Sequence, residues 1–207
     1  MSWKADQIYT KPNTELITYL QNLEGFTGEL FLVNDLKGIQ SAWARSFMLS
    51  DQPIENSHRK HSFPKDGLLV IKPPKTGKAI YEDEWGFIQS ISSISIKLDL
   101  DLSDNQKKLM TFLESLYKKF NFPFLYYYCL MWGGMVEREF AIVFDEKKRI
   151  YTCDPDKRKD FELTDNGSVE LEKTLLQTSL SHFGLDLPDW YFALHDGFDW
   201  ERYRVEK

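Results

Sequence analysis

Cysteine and long hydrophobic runs are both scarce in this chain of 207 residues. There are two cysteines, Cys129 and Cys153, and no uninterrupted apolar run approaches the ~20 residues that a membrane-spanning helix needs. The residues after Met1 include an early lysine but no apolar core, so the sequence predicts no signal peptide. We therefore expect a cytoplasmic protein with free thiols and no membrane association.

A long basic tract is also missing. Lys and Arg total 26 against 32 Asp and Glu, which gives a net charge of −6. This balance argues against direct nucleic-acid binding, because such binding depends on concentrated positive charge that displaces counterions from the phosphates. It permits the opposite arrangement, in which an acidic surface attracts a basic protein partner.

Recognisable catalytic motifs are lacking as well. The chain has no GxSxG sequence, no GxGxxG after a predicted strand and no HExxH. The segment from Lys72 to Lys78 contains a Gly-Lys pair, but Lys72 stands where a phosphate-binding loop has its first glycine and Ala79 replaces the Ser or Thr. Two prolines in this segment also remove backbone amides. We therefore do not expect a phosphate-binding loop here.

Candidate metal ligands occur in two places, neither with a complete set. His58 and His61 lie three residues apart without a nearby cysteine or third histidine, which favours a basic surface patch over a zinc site. The acidic residues between Asp196 and Glu201 lack the spacing of an EF-hand, so an Asp-Gly turn is the simpler interpretation. The sequence predicts neither a metal nor a cofactor.

Aromatic residues are abundant, at 15% of the chain, and hydrophobic residues as a whole make up 42%. This content is enough to bury a sizeable core and to offset the entropy that the chain loses on folding. A length of 207 residues lies within the range of one domain. We expect a single domain over residues 1–207, with some of its aromatic side chains facing a partner.

Helical and strand patterns both occur, without regular alternation along the chain. Capping residues and apolar stripes predict helices at Asn13 or Thr14 to Asn22, at Ser103 to Phe120 and at Val169 to Phe183. Strands are predicted at Glu29 to Val33, Gly67 to Lys72 and Gly86 to Leu102, and in a meander from Phe124 to Cys153. The segments Trp190 to His195 and Phe198 to Val205 fit a hairpin or a strand followed by a helical turn. The predicted class is α+β, with a mainly antiparallel sheet, a central meander and two or three packing amphipathic helices.

The aromatic meander gives the most detailed prediction. Gly133-Gly134 lies between two apolar runs and fits a two-residue hairpin turn, because glycine readily adopts positive φ. This turn places Trp132 opposite Met135, and Cys129 opposite Arg138. The second cysteine then lies two strands away from the first, beyond the reach of a disulfide.

The same register sorts the hairpin side chains onto two faces. The face predicted to be core carries Leu125, Tyr127, Cys129 and Met131 with Val136, Phe140, Ile142 and Phe144. The opposite face carries Tyr126, Tyr128, Leu130 and Trp132 with Glu137 and Glu139. The two carboxylates are about 7 Å apart on one strand, a spacing that suits a general acid and base or two metal ligands. Solvent-facing glutamates that keep the strand from aggregating are the simpler interpretation.

The segment from Tyr127 to Asp154 resembles the immunity proteins of bacterial polymorphic and contact-dependent toxin systems. The shared outline is an aromatic strand, the turn Trp132-Gly133-Gly134, the acidic residues Glu137 and Glu139, and an apolar strand that begins Phe140-Ala141 and leads to a charged turn. The resemblance implies a small cytosolic α+β protein that binds one cognate toxin, often a nuclease. It also implies that the protein blocks the toxin without catalysing a reaction.

We therefore expect a non-enzymatic protein-binding module, of the immunity type, with an acidic and aromatic surface that docks on a basic toxin or nuclease domain. The predicted partner-binding residues are Tyr126, Tyr128, Trp132, Glu137, Glu139, Asp196, Asp199 and Glu201. One alternative is a small hydrolase that uses Glu137, Glu139 or His195, which predicts a concave pocket and a carboxylate with a raised pKa. An intracellular housekeeping domain with neither role is the third interpretation.

Overall fold

The computed structural model describes residues 3–35, 63–76, 78–81, 104–132, 135–185 and 198–206. The strands are β1 (Trp3–Thr10), β2 (Glu29–Val33), β3 (Leu68–Lys72), β4 (Phe124–Trp132), β5 (Met135–Phe144), β6 (Arg149–Asp154), β7 (Lys159–Thr164) and β8 (Gly167–Glu170). The helices are α1 (Thr14–Asn22), α2 (Asp104–Phe120) and α3 (Leu175–Ser181), with a 3₁₀ helix at Trp200–Tyr203. All eight strands form one sheet in the order β2-β3-β1-β4-β5-β6-β7-β8, with antiparallel pairing throughout. The predicted α+β class with a mainly antiparallel sheet is confirmed.

Strand β1 lies near the middle of this sheet and has unequal neighbours. It pairs with β4 along its whole length, from Trp3 to Thr10, but with β3 only at Ile8, Tyr9 and Thr10. Pro73 and Pro74 follow β3 directly, and proline cannot donate a hydrogen bond to a ladder. On this side, no strand among the described residues pairs with the first half of β1.

Both faces of the sheet are covered. Helices α1 and α2 pack on one face through Leu16 and Leu20 and through Leu109, Leu113 and Leu116, against strand residues such as Ile8, Tyr126 and Phe140. Helix α3 and the 3₁₀ helix cover the other face, where Leu175, Leu180 and Trp200 join Tyr9, Tyr127 and Ala141. We call these the α2 face and the α3 face. No described helix is both long and apolar enough to cross a membrane.

Helix α1 begins where the sequence predicts. Asn13 is its N-cap, and the Asn13 side chain accepts a hydrogen bond from the Leu16 amide at 2.8 Å. The predicted strand Glu29–Val33 and the predicted meander are confirmed. The strand predicted from Gly67 to Lys72 is also confirmed and begins one residue later, at Leu68. The predicted cap Ser103, the strand Gly86 to Leu102 and the segment Trp190 to His195 lie outside the described residues.

The predicted helix from Val169 to Phe183 is wrong over its first half. Val169 belongs to strand β8, which pairs with β7, and the helix begins only at Leu175. Asp160 on β7 fixes this boundary, because its carbonyl accepts from the Leu171 amide and its carboxylate from the Leu175 amide, at 2.8 and 2.7 Å. A capping box between Thr174 and Gln177 then starts α3. The leucines have helical spacing, but pairing with β7 determines the conformation before Leu171.

The predicted hairpin register holds at the turn and fails beyond it. Trp132 lies opposite Met135, but a β-bulge between Leu130 and Met131 shifts the pairing by one residue. Cys129 therefore faces Glu139 rather than Arg138, and the two predicted faces of β5 are exchanged relative to β4. The Gly133-Gly134 turn itself lies outside the described residues.

This shift corrects the predicted exposed face. Tyr126 and Tyr128 share the α2 face with Phe140, and Tyr126 is fully buried. Glu139 lies on the α3 face beside Tyr127 and is mostly covered. The predicted aromatic and acidic face is therefore not one open surface: Trp132 and Glu137 are exposed, whereas Tyr126 is buried and Glu139 is mostly covered.

Candidate functional site

A cleft of about 770 Å³ lies beside the first half of β1 and the end of β3. Among the described residues, its basic side chains are Lys4, Lys72, Lys75, Lys78 and Arg138. Its acidic side chains are Asp6, Glu29 and Glu201. Aromatic side chains also line it, among them Tyr81, Tyr126, Tyr128 and Trp200. A volume of this size is typical of a small-molecule site, which ranges over roughly 300–1,000 Å³.

The local sequence explains why these side chains meet. Strand β1 contributes Lys4 and Asp6 from the α2 face and Gln7 from the α3 face, because successive residues of a strand point to opposite faces. Because β3 stops at the prolines, the segment that follows it carries its lysines past the end of the strand and along the cleft. The 3₁₀ helix adds Trp200 and Glu201 from the α3 side. Residues from both faces therefore reach one cavity.

Ion pairs organise the charges of the cleft. Lys4 pairs with Asp6 at 3.2 Å, and Lys75 pairs with Glu201 at 2.6 Å. Arg204 donates to Glu201 at 2.7 and 2.9 Å and to Glu29 at 3.3 Å. Hydrogen bonds from Arg204 and Lys75 lower the pKa of Glu201 to about 2. Glu201 therefore remains ionised over the whole physiological pH range.

Gln7 forms part of the inner wall of the cleft and is fully buried. The Tyr9 hydroxyl donates to its Oε1 atom. The Nε2 atom has no hydrogen-bond partner within the described part of the chain. A buried donor without an acceptor costs about 1–3 kcal/mol and is rare in folded proteins.

The aromatic part of the cleft is fixed by polar contacts. The Tyr126 hydroxyl donates to Asp6 at 2.9 Å, and burial, with the nearby Asp6 charge, raises the pKa of Tyr126. Lys72 places its Nζ atom 4.0 Å from the centre of the Trp200 ring. These contacts hold the rings as walls of the cavity rather than as mobile side chains.

The hairpin formed by β4 and β5 ends in an exposed apolar pair. Trp132 and Met135 lie opposite each other, with 65% and 68% of their surface exposed. Glu137 follows on β5 and is also exposed. We call these three residues the hairpin tip. Large exposed apolar side chains grouped at one place mark candidate interaction sites.

A third group lies on the α3 face, where Asp160 accepts from the Leu175 amide at the start of helix α3. Glu139, Cys153 and Asp160 occupy neighbouring strands, and one potential ligand atom of each lies within 4.8 Å of the others. They are the residues, among those described, that could together hold a metal ion. The Tyr127 hydroxyl donates to Glu139 at 2.8 Å. We call these three residues the acid–thiol cluster.

Burial is the main cause of the raised pKa values in and beside the acid–thiol cluster. It raises the pKa of Glu139 to about 7, with a further increase from the Asp160 charge and an opposing effect from the Tyr127 hydroxyl. Burial also raises the pKa of Cys153, and raises that of the neighbouring Cys129 to about 12. Both cysteines are unbridged, as predicted. In this state neither is a reactive thiolate, because a nucleophilic cysteine needs a lowered pKa.

The predicted site residues are thus divided among several places. Tyr126, Tyr128 and Glu201 line the cleft. Trp132 and Glu137 belong to the hairpin tip, and Glu139 to the acid–thiol cluster. Asp199 is partly buried and immediately precedes the 3₁₀ helix, whereas His195 and Asp196 lie outside the described residues.

Most of the residues in these sites were not predicted from the sequence, and Gln7 and Asp160 show why. Gln7 was outside every predicted element, although Ala5, Gln7 and Tyr9 alternate with Asp6 and Ile8 in the manner of a strand. Asp160 lies on β7, in a stretch whose polar composition indicated turns.

No significant match to this chain is found among protein-family models, characterised proteins or solved structures.

Proposed function

We propose that this protein is a non-enzymatic binding module of the immunity type, which neutralises a basic toxin-like protein by docking on it through the hairpin tip. The observation that carries the proposal is the exposed pair Trp132 and Met135. Tryptophan is among the residues most often responsible for binding energy in protein interfaces, and methionine adapts to irregular surfaces. The two side chains face each other across the strands, so one partner pocket could receive both.

The exposed area of Trp132 determines the binding free energy that we expect this side chain to contribute. A tryptophan side chain buries about 150–250 Å², so covering the exposed 65% of Trp132 would remove roughly 130 Å² from water. At about 25 cal/mol per Å², this burial contributes roughly 3 kcal/mol, which corresponds to a change in Kd of about 100-fold. A single residue at the tip is therefore expected to change the affinity for the partner about 100-fold.

Charge supports a basic partner. The protein carries a net charge of −6, and Glu137 is exposed beside the apolar pair. A negative protein attracts a positive one over long range and so increases the association rate, and it disfavours acidic partners. The resemblance of Tyr127 to Asp154 to immunity proteins agrees with a cytosolic inhibitor of a nuclease or another basic toxin.

The hydrolase alternative has one supporting observation, the raised pKa of Glu139. Glu139, however, is mostly covered on the α3 face, whereas Glu137, the other member of the predicted pair, is exposed at the hairpin tip. The large described cleft is lined by neither glutamate. These positions favour the binding module over a hydrolase that uses the Glu137–Glu139 pair.

The test is to coexpress the protein with the product of each neighbouring gene, and to measure Kd for any purified pair. We expect tight binding, with Trp132→Ala about 100-fold weaker. Val169→Ala is the matched control, because Val169 is 56% exposed on the distant edge strand β8 and should bind like the wild type. Absence of binding, or equal binding by Trp132→Ala, would overturn the proposal.

A further inference from the structure

The acid–thiol cluster forms one row across β5, β6 and β7. Cys153 pairs with Asp160 across β6 and β7. On the other side of β6, Phe140 pairs with Thr152, which brings the preceding residue of β5, Glu139, beside the next residue of β6, Cys153. Side chains directly opposite each other on neighbouring strands have Cβ atoms about 4.5–5.5 Å apart. Three strands of one sheet, rather than a loop, therefore fix the positions of these side chains.

The spacing of the cluster fits a single metal ion. One potential ligand atom of each residue lies within 4.8 Å of the other two. In a tetrahedral zinc site, with a Zn–S distance of about 2.3 Å and a Zn–O distance of about 2.1 Å, neighbouring ligand atoms are about 3.4–3.6 Å apart. Side-chain movements of about 1 Å would bring the three atoms onto one ion. Each of the three residues is also partly exposed, which leaves an ion a route to the site.

The charge around the cluster is a separate indication of a cation. The hydrogen bonds that Glu139 and Asp160 accept from outside the cluster come from a tyrosine hydroxyl and a backbone amide, which carry no charge. Within the described part of the chain, no lysine or arginine pairs with either carboxylate, and Lys159, next to Asp160, pairs instead with Glu170 at 2.7 Å. Two carboxylates this close on a covered face favour the uptake of a proton or a metal ion. A proton serves one oxygen atom, whereas a divalent ion can be shared by both carboxylates and the thiol.

The chemistry of the three side chains selects the metal. Ca²⁺ and Mg²⁺ prefer oxygen ligands throughout, whereas Zn²⁺ binds both cysteine sulfur and carboxylate oxygen. We propose that Glu139, Cys153 and Asp160 bind one Zn²⁺ ion and leave its fourth position to water. As the Zn–S bond forms, the Cys153 thiol releases its proton to the solvent, so the step needs no oxidant or reductant. The ion connects three strands of the α3 face, and the inference goes beyond the proposed function and does not depend on it.

Calorimetric titration of the reduced, metal-free full chain with zinc chloride tests the site. We expect one ion per chain, with a Kd below about 10 μM. Glu139→Gln keeps the shape of the side chain and an acceptor for the Tyr127 hydroxyl but removes the negative charge, so it should weaken binding at least about tenfold. Glu146→Gln is the matched control, because it makes the same change at an exposed position in the turn between β5 and β6. It should bind zinc like the wild type.

A titration with cobalt(II), read by absorbance, tests whether sulfur is a ligand. Cobalt(II) takes similar ligands to zinc, and a cobalt–thiolate bond gives a charge-transfer band that a cobalt–carboxylate bond does not. We expect this band in the wild type and its loss in Cys153→Ala. Cys129→Ala is the matched control: Cys129 faces Glu139 from β4 but is not a member of the cluster, so the band should remain.

Three results would overturn the site. They are a Kd for zinc above about 10 μM in the wild type, wild-type affinity for zinc in Glu139→Gln, and a cobalt–thiolate band that persists in Cys153→Ala. If Cys129→Ala does not fold, the comparison of Glu139→Gln with Glu146→Gln decides. Zinc binding is measured without any partner protein, so failure of this site leaves the proposed function standing.

Discussion

Glu139 is a mostly covered carboxyl group on the α3 face, beside Cys153 and Asp160. Replacing it with glutamine retains the shape of the side chain and an acceptor for the Tyr127 hydroxyl, which donates to Glu139 at 2.8 Å. The new amide can also donate to Asp160, whereas an ionised Glu139 repels it. We therefore expect Glu139→Gln to stabilise the protein wherever Glu139 would otherwise be ionised.

The magnitude and the pH range follow from the pKa of Glu139. Burial raises this pKa from 4.5 to about 7. The folded protein therefore holds a proton that the unfolded chain releases, and the stability of the wild type falls as the pH rises from about 4.5 to about 7. A rise of this size corresponds to roughly 3 kcal/mol. The gain from Glu139→Gln should be near zero at about pH 4.5 and approach that value above pH 7.

The assay is urea denaturation of the wild type and Glu139→Gln at intervals from about pH 5 to about pH 8. Glu137→Gln is the control: it makes the same change two residues away on the same strand, at an exposed position. It should change the free energy of unfolding by less than about 0.5 kcal/mol at every pH. If the free energies of unfolding of the wild type and Glu139→Gln remain parallel over this range, the raised pKa of a buried Glu139 carboxyl is refuted.

Three further predictions concern local structure. Asn13→Ala removes the acceptor for the Leu16 amide and should lower the free energy of unfolding by about 1 kcal/mol in urea; an unchanged midpoint would contradict the cap. Gly184 has a φ of +77° and open space around the position of an added Cβ, so Gly184→Ala should lower stability by about 1 kcal/mol through backbone strain alone, measured by thermal denaturation. Burial raises the pKa of Cys129 and Cys153, so both should react slowly with a thiol reagent at neutral pH and rapidly in denaturant. Fast labelling of the folded protein would count against this packing.

Local signals in the sequence were sufficient for part of the fold. The cap at Asn13 and the apolar run of β2 depend on residues close together in the chain, and both elements have the predicted bounds. The meander was also predictable, because its strands are joined by short turns. In each case the residues that determine the conformation are neighbours in sequence.

The parts of the fold that the sequence did not predict depend on pairing between strands that are distant in the chain. Strand β1 contains Lys4 and Asp6 among its apolar residues, and it is a strand because β4 pairs with it along its length. The cleft depends on where β3 ends relative to β1, which only their register determines. The bulge after Leu130 likewise has no local signature, yet it moves Glu139 to the opposite face. This shift of one residue in the register of β4 and β5 is the reason that the observed sites differ from the predicted surface.

Hydroxyl-radical footprinting of the complex tests the role of the hairpin tip most directly. The side chains of Trp132 and Met135 are exposed in the free protein, and methionine is readily oxidised. When the partner protein is bound, oxidation of both residues should fall together, while Val169 on β8 remains as accessible as before. A stable complex in which Trp132 and Met135 are oxidised as fast as in the free protein would contradict the proposed binding surface.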